Sequence, residues 1–325
     1  MKKITKILFI AFFIAPVWYA YIGSSEGGDI LQKTEPLFLS ERPPSGHEGH
    51  GGRKTGNEHS EHRATPFKRF YLNNHDLSES ARAFVLRPDG SIREARLNHD
   101  EGVWSVTFDT KPMDGTMDGI FNLYVIDNKI VNDTLFIRVA KLNVVNHSCG
   151  WGHKFKYDKE RLRPKYLEQV PLEIIGYDLW DRNFHSRTAS GDRVAFSVLH
   201  YGRPISADVR VITQSGWMKS CRTGNDGNGS FQIIRDYYPE RWSEFNARKK
   251  SGFSLIAEYE TDKKGLFGDR PYSRIKYICT FSWKAQTNRI EYTSYAYGLL
   301  IMTLFSIVSG IVVFIYRQKR SFGWK

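Results

Sequence analysis

Residues 81–97 read ARAFVLRPDGSIREARL, and this stretch decides the fold class. Two runs of alternating apolar and polar residues, ARAFVL and SIREARL, flank the triplet Pro88-Asp89-Gly90. Alternation with period two turns one face of an extended chain toward a core, and Pro-Asp-Gly supplies turn geometry. The same pattern continues in VWSVTF (103–108), IFNLYVI (120–126), a turn expected at Asp127-Asn128, and TLFIRVA (134–140). Short strands with such punctuation and no helical period predict a small β-sandwich over residues 67–146.

A basic, aromatic-spotted connector over residues 147–166 follows, and the alternation then resumes. VPLEIIGY (170–177), RVAFSVLHYGRP (193–204), ADVRVIT (207–213), GSFQIIRD (229–236), FSLIAEYE (253–260) and RIKYICTFSW (274–283) predict a second sandwich over 167–284. Turns are expected at Gly202-Arg203-Pro204 and from Asn225 to Gly229, and one turn of helix near Pro239 to Ala247. The fold class expected is all-β, with two Ig-like sandwiches in tandem between an N-terminal signal anchor and a C-terminal transmembrane helix.

Outward from these domains lie two apolar ends. Residues 297–316, YGLLIMTLFSIVSGIVVFIY, carry no charge over 20 residues. At 1.5 Å per residue this matches the roughly 30 Å hydrocarbon core of a bilayer, so a transmembrane helix is predicted. Arg317, Lys319, Arg320 and Lys325 follow at once and place the C-terminus in the cytoplasm. Lys2, Lys3 and Lys6 precede the apolar stretch from Ile7 to Ile22, so residues 1–22 read as a signal peptide or a signal anchor. The bulky Trp18-Tyr19-Ala20 makes a poor cleavage site and favours the uncleaved anchor. The expected place is the bacterial inner membrane, with the bulk periplasmic and both termini cytoplasmic.

The formal charge of +12 suggests nucleic acid, but at least seven basic residues are the flanking positives just named and an exported chain meets no genome. Three cysteines, Cys149, Cys221 and Cys279, are too few for a disulfide framework. The pair expected to close, if any does, is Cys221 with Cys279.

Residues 23–66 are rich in Gly, Ser, Glu, Lys and His and read as a flexible tether. Within it His47, His50, His59 and His62 fall in 16 residues, four of the ten histidines in the chain. Neutral imidazoles at this spacing can converge on nickel, cobalt, zinc or copper, with a plain hydrophilic spacer as the alternative reading. His147, Cys149 and His153, in HSCGWGH, supply a second candidate set of a thiolate and two imidazoles, against a linking turn in which Trp151 packs. The Gly-rich run Thr223 to Ser230 lacks the acids of a calcium loop and reads as a hairpin turn. His200 reads as a packed strand residue. No nucleophile elbow, phosphate-cradling loop or HExxH is present, so no enzyme is expected.

Val170-Pro171-Leu172-Glu173-Ile174, Gly191-Asp192-Arg193-Val194, VLHYGRPISADVRV (198–211), Thr223 through Gly229 and LIAEYE (255–260) carry a resemblance. Over about 120 residues the second domain resembles the periplasmic family of unassigned function linked to NikM-like nickel uptake systems. The resemblance implies an exported, membrane-anchored accessory to transition-metal import. Together with the His-rich tether it makes nickel or cobalt the expected ion, ahead of zinc or copper. The expected partners are the membrane and the permease and ATPase subunits of a transporter, with no nucleic acid. The alternative is a non-enzymatic envelope interaction or structural protein with a His-rich spacer.

Overall fold

The computed structural model describes residues 35–41, 43, 67–73, 76–110, 119–146, 159–177, 179, 188–234, 250–286 and 289–322. The strands, in chain order, are β1 (Leu39–Ser40), β2 (Phe67–Leu72), β3 (Arg82–Leu86), β4 (Ile92–Asp100), β5 (Val103–Asp109), β6 (Gly119–Val131) and β7 (Thr134–Asn146). After a 3-10 turn at Lys159–Leu162 come β8 (Glu173–Gly176), β9 (Thr188–Ala189), β10 (Arg193–His200), β11 (Arg203–Pro204), β12 (Asp208–Thr213) and β13 (Met218–Arg222). Then follow β14 (Asn228–Gln232), β15 (Lys250–Thr261), β16 (Gly265–Phe267), β17 (Arg270–Tyr272), β18 (Arg274–Gln286) and the helix α1 (Arg289–Phe322). The described residues are mostly β-sheet, with one apolar helix at the C-terminal end.

One sheet runs in the order β1-β2-β5-β4-β3-β6-β7-β18-β15-β12-β13, with β9 also on β18. A second sheet joins β8, β11 and β14 to β10, and β16 pairs with β17 as a hairpin. The long strand β4 turns the large sheet through a corner, because Ile92 to Ala95 pair with β3 while Arg96 to Asp100 pair with β5. This folds β2 and β5 over β6 and β7, and Phe70, Leu72, Val106 and Phe108 meet Phe121, Leu123, Val125 and Ala140 between the layers.

The expected boundary near residue 146 falls at the end of β7, yet the sheet does not stop there. β7 pairs in parallel with β18, from Thr134 beside Arg274 to Leu142 beside Ser282. The two hydrophobic cores consequently lie on opposite faces of shared strands. Leu123 and Val125 face the first core, whereas Tyr124, Ile126, Ile137 and Val139 face the second with Ile174, Phe196, Val198, Leu255 and Phe281. Burial on both faces accounts for the near-continuous apolar runs of β6 and β7.

Three expectations are corrected. First, β6 continues through Asp127-Asn128, and the reversal falls at Asn132 and Asp133, whose φ angles are 47° and 64°. Asp127 stays inside the strand because it is fully buried against Arg138. Second, residues 35–41 are not a tether. Leu37 and Leu39 are 1% and 3% exposed in the first core, the Thr280 hydroxyl donates to the Leu37 carbonyl, and β1 pairs with β2. The short run PLFL (36–39) was diluted by the polar composition around it. Third, Cys221 and Cys279 are both free thiols. They share one row of the sheet, with Val209 and Ala257 between them. Three strand spacings put them roughly 14 Å apart, twice what a disulfide spans.

The run from Thr223 also differs from a hairpin, since it carries the chain from β13 in the large sheet to β14 in the small one. Gly227 sits there at φ 73°, where a Cβ would meet the Val198 carbonyl oxygen at 2.7 Å. In α1, residues Thr293–Arg320 are long and apolar enough to cross a membrane, and their apolar window is not covered by the rest of the described chain. The helix outruns the expected 297–316 at both ends because Arg, Lys and Glu at its margins are good helix formers.

Candidate functional site at the anchor end of the body

Strand register gives the body two distinct poles. β7 and β18 run parallel and end together, at Asn146 and Gln286, and only residues 287 and 288 separate Gln286 from α1. Phe67 pairs with Asp109 and Gly119 with Asn146, so the start of β2, the end of β5 and the start of β6 lie at this same pole. The ends of β9 and β14 and the start of β15 join them, through Ala189 on Gln286, Gln232 on Arg193, and Lys250 on Gln286. We call this the anchor pole.

The seven expected metal ligands, His47, His50, His59, His62, His147, Cys149 and His153, lie outside the described residues. Their described flanks do not scatter. Glu41, which leads toward His47, is ion-paired with Lys284 near the end of β18. Lys68, just after the His-rich stretch, donates from Nζ to the Val145 carbonyl at 2.7 Å, one residue before the end of β7 and two before His147. Burial pushes the Lys68 ammonium pKa down, and the nearby Glu41 charge partly offsets it. The described flanks of both candidate sets therefore lie side by side, at the end of the body that leads to α1. Among the described residues no group of three or more His, Cys, Asp or Glu is arranged to hold a metal.

Tight turns close the far pole. Glu101-Gly102, Asn132-Asp133 and Tyr201-Gly202 each pair left-handed residues, the geometry that joins adjacent antiparallel strands most sharply. His200 is half-buried there, with ring centroids 4.8, 5.0 and 4.7 Å from those of Tyr201, Tyr259 and Tyr277. Burial, and after it the charge of Lys263, hold the imidazole pKa below its ordinary value. The expectation of a packed strand histidine fits this setting. His75 and His185 lie outside the described residues, and His99 stacks on Trp104 at 4.5 Å.

Sequence reading passed over two buried polar networks, one on each face of the shared strands. Toward the second core, Glu173 accepts from Lys141 Nζ at 2.6 Å, from the Tyr124 hydroxyl at 2.7 Å and from the Leu167 amide at 3.0 Å. Toward the first core, Arg138 donates to Asp127, to the Asp76 carbonyl at 3.0 Å and to the Glu35 carbonyl at 3.2 Å. The signal was present, since Arg138 and Lys141 interrupt an otherwise apolar strand. Their partners stand 11 and 32 residues away and could not be read locally. Cys279 lies by the second network, and burial pushes its thiol up to about 12. Burial also raises the pKa of Cys221, so neither thiol is primed as a thiolate ligand.

On the outer face of β12, β15 and β18, Glu258 pairs with Arg210 and, at 2.8 Å, with Lys276. Burial raises the pKa of the Glu258 carboxyl, but these two cations outweigh it and hold the group below the usual carboxylate range. An open groove of about 600 Å³ runs here, lined by Asp208, Arg210, Ser220, Cys221, Glu258 and Lys276.

No family model and no curated protein matches the chain. Among solved structures, a 1.5-MDa bacterial ice-binding adhesin aligns at 11% identity and TM-score 0.21, over 69% of this chain and 59% of that one. A tetra-tandem repeat from the extending region of a large adhesion protein aligns at 10% and 0.22, over 78% and 49%. A DUF4785 family protein of Legionella pneumophila aligns at 12% and 0.21, over 59% and 46%. The chain thus spans about half the length of each. At such scores the likeness carries no argument, and function rests on this chain's own residues.

Proposed function

We propose that the chain is a non-enzymatic, membrane-anchored accessory of a transition-metal uptake system, which gathers nickel or cobalt beside the bilayer and passes it to a permease. The observation that carries this reading is the closeness, at the anchor pole, of the described residues that flank both candidate ligand sets, marked by the Lys68 to Val145 hydrogen bond. Ligands on chain segments that start from that pole would capture an ion within reach of a permease in the same membrane. The metal is cargo, held by His47, His50, His59 and His62 with His147, Cys149 and His153 as the second set. In this reading the body is two Ig-like sandwiches sharing strands β6 and β7. The resemblance to the nickel-uptake-linked family supports the same role. Both termini lie in the cytoplasm and the body outside it.

Titration calorimetry on the full chain in detergent tests the proposal. Nickel or cobalt should bind with an affinity that falls as pH drops through roughly 6.5, because protonated imidazole cannot ligate. Replacing the four histidines of residues 47–62 by Ala should remove most of the capacity. Loss only on replacing His147, Cys149 and His153 would move the site to the second set. An absence of binding heat with either metal would overturn the reading in favour of an envelope interaction protein. A reporter fused after Lys325 that behaves as exported would overturn the topology.

A further inference from the structure

β13 is the last strand of the large sheet, and its hydrogen bonding can be read from its register with β12. The Thr213 amide donates to the Trp217 carbonyl at 2.9 Å and the Thr223 amide to the Ala207 carbonyl at 3.0 Å. These are hydrogen-bonded pairs, so by alternation Lys219 with Val211 and Cys221 with Val209 are as well. The amides and carbonyls of Met218, Ser220 and Arg222 then point away from β12. No described strand lies on that side. The side chains agree, since every residue of β13 except the half-buried Cys221 is exposed.

We infer that the β13 edge is a docking site for an extended, acidic segment of a partner protein, which would add as the next strand. Three outward-facing residues offer up to six main-chain hydrogen bonds, the usual source of affinity in strand addition. Charge selects the partner. Lys219 makes no ion pair among the described residues, and Arg222 has only the exposed Asp208 at 3.8 Å. The groove beside the edge gives alternate side chains of an added strand somewhere to lie. A second copy of this chain is the poorer occupant. Antiparallel self-pairing of β13 would place the two anchor poles, and so the two α1 helices, at opposite ends, which one bilayer cannot accommodate.

Residue-resolved hydrogen exchange on the full chain in nanodiscs tests the inference, with a synthetic peptide alternating Val and Glu over roughly ten residues as probe and a Val-Lys peptide as control. Without peptide, the amides of Met218, Ser220 and Arg222 should exchange freely while those of Lys219 and Cys221 are protected. The Val-Glu peptide should slow the first three by about tenfold or more, and the Val-Lys peptide should not. Ser220→Pro removes an outward amide without touching the β12 ladder and should abolish the slowing. Should that variant fold poorly, Lys219→Glu, at an exposed side chain, should weaken the response to the Val-Glu peptide. Edge amides already protected in the free chain, whether by its own residues or by a second copy, would overturn the inference. So would equal binding of both peptides.

Discussion

Lys141 and Glu173 are each about 1% exposed, and the pair ties β7 to β8 across the second core. Removing one member of such a pair leaves a buried charge without a counter-charge, which costs about 3–5 kcal/mol, whereas replacing both with apolar residues of similar volume is often neutral. Lys141→Met should therefore destabilise the protein by about that amount, and adding Glu173→Leu should recover only part of it, because the Tyr124 hydroxyl and the Leu167 amide then lose their acceptor. Denaturant unfolding of both variants checks the asymmetry. His200 gives a pH prediction of definite sign. Its imidazole in the folded state holds a proton less tightly than the ordinary 6.5. As pH falls through that value the unfolded chain takes up a proton that the folded one refuses, and stability drops until the folded group also protonates. Thermal unfolding between about pH 7 and 5 should show this loss in the wild type and less of it in His200→Phe. Its aromatic setting was not legible, because Tyr259 and Tyr277 belong to the other sheet and meet His200 only where the two sheets pack face to face.

The strap of residues 35–41 shows where an element can be lost in composition. Its immediate context argues for a spacer, yet Leu37 and Leu39 fill the first core, and burying such a side chain contributes roughly 1.5–3 kcal/mol. Leu37→Ala should cost about 2–4 kcal/mol in denaturant unfolding, where a true tether residue would cost nothing measurable. The strands themselves were largely legible, because alternation records one buried face. β6 and β7 were legible as strands but not in extent. With both faces covered they lose the alternation, and the buried Asp127 imitates a turn. The candidate ligands were readable as residue types, and the closeness of their described flanks was not, since it depends on the parallel pairing of β7 with a strand some 140 residues later.

At the scale of the molecule, the shared strands set a test of cooperativity. If residues 67–146 folded independently, Tyr124, Ile126, Ile137 and Val139 would lose their cover from the second half. Unfolding followed by probes in the two halves, such as Trp104 and Trp283, should therefore give coincident transitions. Two resolved transitions would restore a picture of separate domains. The parallel junction also has a mechanical side. β18 is held by β15 over twelve residues, Lys250–Thr261, and by β7 from Thr134 to Leu142, and it is the strand that runs on to α1. Its inter-strand hydrogen bonds lie across the strand direction. A pull delivered through α1 along β18 would load both ladders in shear, many bonds at once, and would not peel them one by one. The apolar helix is fastened to the strand best placed to resist being drawn out.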